Sequence, residues 1–134
     1  MTATDPDAGT NFTYSISGGA DGGKFNINAN TGVLTFKNAP NYESPTDSGA
    51  NNSYVVKVRA SDGALHDEQT ITVNVTNVNE SPSIGANGGG ASASKSVSEN
   101  QTAATTVTAS DPDAGTTITY SITGGADGGK FNIN

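Results

Sequence analysis

Apolar residues in this chain fall in short alternating runs separated by polar, glycine-rich text. Phe12, Tyr14 and Ile16 alternate with Thr13 and Ser15, the two-residue period of a strand with one buried face. Phe25 and Ile27 predict a short second strand after the turn-rich residues 17–23. Residues 28–32 read as a tight turn, because Asn and Gly tolerate positive φ, and Val33 to Phe36 predicts a third strand. A long polar connection covers 38–53. Tyr54, Val56, Val58 and Ala60 alternate with Val55, Lys57 and Arg59 in a fourth strand, and residues 61–68 then turn the chain. Ile71, Val73 and Val75 line one face of a fifth, and Val97 and the run 105–109 predict two more. Tyr54, Val56 and Val58 are expected to face Ile71, Val73 and Val75 in one interior, with Lys57 and Arg59 outside. No segment carries a helical period.

That count of strands, with turn signals between them, predicts an all-β chain: an immunoglobulin-like Greek-key β-sandwich of about seven strands. A repeat modifies the picture. Residues 2–28 recur as 108–134, differing only at Thr4/Ser110, Asn11/Thr117, Phe12/Ile118 and Ser17/Thr123. Asp5 maps to Asp111, a period of 106 residues, so the chain reads as a window on a tandem array, out of phase with the repeat. Pro82 blocks ladder pairing and the glycines after it disfavour a fold. The expected organisation is a repeat lacking its first strands over 1–82, a Gly-rich linker over 83–93, and the N-terminal half of the next repeat over 94–134. The copies at 2–28 and 108–134 compete for the same places, since a single set of later strands, 33–75, is present.

Composition narrows the partners. Six Lys and Arg stand against thirteen Asp and Glu, a net charge of −7, which disfavours nucleic acid and anionic membrane surfaces and favours divalent cations. Only 32% of residues are hydrophobic, enough for a thin sandwich with a modest core. Cysteine is absent, so any extracellular staple is of another kind. No apolar run approaches the roughly 20 residues of a membrane span. No signal peptide follows Met1, which reads as an expression start.

The acidic residues avoid the strands and gather in the joints between them. Asp5 and Asp7, and again Asp111 and Asp113, hold two carboxylates apart by a rigid proline. Glu43, Asp62, Glu99 and the run Asn77, Asn79, Glu80 add further oxygen. Ca²⁺ takes six to eight such ligands, mixing carboxylates with Asn side chains and backbone carbonyls. The alternative reading is that acids simply prefer turns and solvent.

The ordered set of motifs resembles a cadherin repeat. Ser-Glu-Asn at 98–100 resembles the family's Pro-Glu-Asn, and residues 108–115, like 2–9, its Ala-x-Asp-x-Asp-x-Gly segment. Residues 25–36 resemble its Phe-x-Ile-x-x-x-Thr-Gly-x-Leu turn, and Asn-Tyr-Glu at 41–43 its Asp-Tyr-Glu motif. Residues 58–63 resemble the Ala-x-Asp-Gly strand end, and 76–82 the Asp-x-Asn-Asp-x-Pro linker, with Asn77 where the family usually has Asp. The Gly-rich insert and Thr/Asn-heavy strands are more similar to the repeats of large bacterial surface proteins than to animal cadherins.

The resemblance implies Ca²⁺ bound between successive repeats by Glu43, Asp62, Glu99, Asp111 and Asp113. It implies a weaker contribution from Asn77, Asn79 and Glu80, and matching positions at Asp5 and Asp7. It also implies an extracellular or cell-surface setting, neighbouring repeats as partners, and no direct membrane contact. Two roles follow: a calcium-stiffened spacer in a multi-repeat adhesin, or a module that recognises polysaccharide or another copy of itself. The absence of Trp favours the spacer, while Tyr42 and Tyr54 flank the long loop and keep the second reading open.

Other signals are weaker. The Gly-Gly-Ala-Asp-Gly-Gly text at 18–23 and 124–129 resembles a calcium β-roll motif superficially but occurs once per period, as a loop does. Sequons such as those at Asn11, Asn74, Asn79 and Asn100 arise readily in a chain this rich in Asn, Ser and Thr. His66, in a predicted turn, has no nucleophile or base around it, and Gly88–Gly90 lack the Lys-Ser/Thr of a phosphate loop. No catalytic set can be assembled, and an enzyme is not expected.

Overall fold

The computed structural model describes residue 4 and residues 11–134, and their contacts divide the chain into units Met1–Val78 and Asn79–Asn134. Among the described residues all strand pairing is antiparallel, and the helical segments are short 3-10 turns. No helix among them is long and apolar enough to cross a membrane.

The described residues of the first unit carry five strands: β1 (Thr13–Gly18), β2 (Phe25–Ile27), β3 (Leu34–Phe36), β4 (Ser53–Ser61) and β5 (His66–Asn74). They form a three-stranded sheet in the order β1-β4-β5 and a β2-β3 hairpin. The predicted alternation is realised in β4, where Tyr54, Val56, Val58 and Ala60 are buried and the residues between them half-buried. Tyr54 joins the layers: its ring meets Phe36 edge-on at 5.1 Å and Phe25 at 6.4 Å, and Phe25 stacks on Phe36 at 4.5 Å. This is an all-β, antiparallel arrangement of the sandwich type.

The inner partners differ from expectation. Ile71 and Val73 do not face β4 across the interior; they lie beside it in the same sheet, with Val56 opposite Ile71 and Tyr54 opposite Val73. The facing layer is β2-β3, through Phe25, Ile27, Leu34 and Phe36. Alternation identifies a buried face but not which strand lies across from it. β5 also begins earlier than expected. Residues 66–68 are strand rather than turn, because the ladder with β4 runs on to Ser61 opposite His66.

Lys57 and Arg59 point outward as expected and both reach Glu68. Lys57 Nζ lies 2.6 Å from Oε2, and the Arg59 guanidinium donates to Oε1 at 2.8 and 3.0 Å. Hydrogen bonding from Lys57 and then Arg59 holds the Glu68 carboxyl at about 2, below its ordinary 4.5. A folded-state value below the unfolded one means that the unfolded chain binds more protons. This contribution to stability is therefore complete above pH 4.5 and fades as pH falls toward 2. Acid titration monitored by circular dichroism should show that loss in wild type, and Glu68→Gln should remove its share of the pH dependence.

The second unit is organised differently from the sequence reading. β6 (Ser83–Ile84) pairs with β7 (Ala109–Ser110) inside what reads as a structureless linker, and a 3-10 turn follows at Ala86–Gly88. Pro82 does not prevent this, because it precedes the first paired residue. Val97 and most of 105–109 form no strand, and neither does 117–123.

Competition between the copies is thus resolved for the first. β4 already has β1 on one edge and β5 on the other, so no edge is left for a second β1-like strand. Tyr14 and Phe25 are 8% and 3% exposed, while their counterparts Tyr120 and Phe131 are 38% and 54% exposed.

Candidate metal centre

Each candidate acid sits at a joint, and its position follows from the local backbone. Asp62 directly follows β4, where its Oδ1 accepts the N–H groups of Ala64 at 2.7 Å and Leu65 at 2.6 Å. Those donors, Leu65 first, lower its pKa and tie the β4–β5 turn. One carboxylate oxygen thus serves the turn.

Glu43 lies in the 38–53 connection, which is far from structureless. Its N–H donates to Asn41 Oδ1 at 2.8 Å. The connection is held by two buried carboxylates that sequence reasoning passed over. Asp47, 6% exposed, accepts from the N–H groups of Gly49, Asn51 and Asn52. Burial pushes its pKa up, but those donors outweigh it and hold the group below its ordinary value. Asp21, 3% exposed, accepts from Ser48 N–H at 2.6 Å and Val55 N–H at 2.8 Å. The available signal was Asp21 as the single charge in a run of glycines. The preceding Gly19 lets the loop approach β4: its φ is +95°, and a Cβ there would lie 2.5 Å from the Val55 carbonyl oxygen. In this framework Glu43 Oε1 is enclosed without a hydrogen-bond partner. An enclosed carboxylate oxygen lacking a donor fits a cation ligand.

In the second unit two candidate acids converge, and a third lies close to one of them in sequence. Glu80 and Asp113 bring carboxylate oxygens within 4.8 Å of one another. The Glu80 N–H donates to Asp113 Oδ2, and the Asp113 N–H to Asp111 Oδ1, each at 2.8 Å. Asp113 is 9% exposed. Asn79 is adjacent, its Nδ2 donating to the Glu80 carbonyl at 3.2 Å. Like charges this close repel unless protons or a cation intervene. Oxygen-only donors of this kind suit a hard cation such as Ca²⁺.

Asn77 is exposed. Glu99 is exposed in a turn with Asn100, whose φ is 64°, and joins no acidic grouping among the described residues. Asp5 and Asp7 lie outside the described residues. His66 is exposed on β5.

A family model described as "Cadherin domain" matches residues 1–76. Protocadherin Fat 2 of Rattus norvegicus is 35% identical over 126 residues, covering 90% of this chain and 3% of its own length. Protocadherin Fat 1 of Homo sapiens is 31% identical over 135 residues, 97% of this chain and 3% of its own length. Protocadherin-15 of Homo sapiens is 33% identical over 117 residues, 86% and 6% respectively. The chain therefore spans only a few per cent of the length of these curated relatives.

Proposed function

The chain belongs to the cadherin-domain family, and from that premise we propose that it is a calcium-binding spacer and adhesion module of a multi-repeat extracellular protein. The observation that carries this reading is the convergence of Glu80 and Asp113, whose negative charge a divalent cation would neutralise. The enclosed Oε1 of Glu43 supports it. We assign Glu43, Glu80, Asp111 and Asp113 to Ca²⁺, with Asp62, Glu99, Asn77 and Asn79, and Asp5 and Asp7 of the preceding joint, in the supporting roles that the family implies. Bound Ca²⁺ would supply charge neutralisation and a rigid joint; the residues themselves position the oxygens.

Within that proposal, 1–82 is a repeat entered after its first strands, 83–93 a connection, and 94–134 the opening of the next repeat. The partners are neighbouring repeats at a cell surface. The Gly-rich insert and the Thr/Asn-heavy strands support a large bacterial surface protein as the parent in this proposal.

Calorimetric titration of Ca²⁺ into a chain of two or more whole repeats tests the reading. Binding should raise the melting temperature, by the equivalent of about 2.7 kcal/mol at a hundredfold excess over Kd. Asp113→Asn should weaken it. No binding at millimolar Ca²⁺ would overturn the proposal.

A further inference from the structure

Beside the β2-β3 hairpin lies an open groove of about 710 Å³, lined by Phe36 and Tyr54 and by residues 38–41, Ser44 and Thr46. Its volume falls in the range of small-ligand clefts, about 300–1,000 Å³. Lys24 and Lys37 both line it. They are cross-strand neighbours: the Lys37 N–H donates to the Lys24 carbonyl at 2.8 Å, extending the register in which Phe25 opposes Phe36.

Like charges opposed across a ladder are destabilising, yet neither lysine has a carboxylate partner among the described residues. Lys57, Arg59 and Lys130 are paired, whereas Lys24 and Lys37 stand side by side at one groove. Asp21, which also lines the groove, accepts the N–H groups of Ser48 and Val55. Asn38 and Ser44 add polar groups along the wall. The groove thus offers two cations against one carboxylate, with polar side chains and an aromatic edge.

We propose that this groove binds a short acidic oligosaccharide of the uronate class, its carboxylates meeting Lys24 and Lys37 and its hydroxyls the polar wall at Asn38, Asn41 and Ser44. A sugar chain suits the mixture of aromatic edge and polar wall, and the carboxylates suit the lysines. The site involves none of the residues assigned to Ca²⁺, so its success or failure is separate from that reading.

The test is calorimetric titration of the full chain with tri-galacturonate in EDTA, which removes any metal bridge. Its uncharged methyl ester serves as the reference ligand. Tri-galacturonate should bind, weakening with added salt, and the ester should bind at least tenfold more weakly. The double variant Lys24→Ala/Lys37→Ala should lose at least tenfold in affinity with an unchanged melting curve. Lys95→Ala, outside the groove, should bind as wild type. No binding at millimolar ligand, equal binding of acid and ester, or an unaffected double variant would each overturn the proposal.

Discussion

Replacing Phe25 by alanine should lower stability by about 3–5 kcal/mol, whereas Phe131→Ala should change it by less than about 0.5 kcal/mol. The two phenylalanines sit in the same eleven-residue text, 18–28 and 124–134, so intrinsic propensity and local sequence are identical. Only their surroundings differ. Phe25 is 3% exposed, stacked on Phe36 and edge-on to Tyr54, and its removal would leave a cavity at the junction of the two layers. Phe131 is 54% exposed. Urea unfolding of both variants, followed by circular dichroism, checks the difference. Equal losses would mean that the second copy is packed as tightly as the first.

The same comparison explains how much of the fold could be read from the sequence. β1 to β4 were legible because each carries a period-two apolar pattern bounded by Gly or Asn turns. Local pattern cannot report which of two equal claimants obtains the partner strand. Tyr14 and Tyr120 lie in nearly identical text, yet only the residues around Tyr14 form a strand against β4. Nor can pattern find β6, two residues long and set between Pro82 and Gly85, whose existence depends on pairing with Ala109 and Ser110. At the candidate metal centre the acids were legible as residue types at family spacings. The convergence of Glu80 with Asp113, 33 residues on, is a property of tertiary structure. The buried carboxylates Asp21 and Asp47 escaped notice because acids in Gly-rich or Asn-rich loops ordinarily face water.

Asp21→Ala should cost about 2–4 kcal/mol, and Asp127→Ala, its counterpart in the second copy, no more than about 1 kcal/mol. Truncating Asp21 leaves the N–H groups of Ser48 and Val55 without their acceptor, and each orphaned buried donor costs roughly 1–3 kcal/mol. Removing a buried charge returns part of that sum, which sets the total below the simple addition. Asp127 holds only an exposed pair with Lys130 at 2.9 Å, with side chains 65% and 79% accessible. Beyond the melting curve, amide hydrogen exchange localises the effect. Protection at Ser48 and Val55 should fall in Asp21→Ala and persist in Asp127→Ala. Asp21→Asn keeps one acceptor oxygen and should lie between wild type and alanine. Unchanged protection in Asp21→Ala would show that the 38–53 connection is held by Asp47 alone.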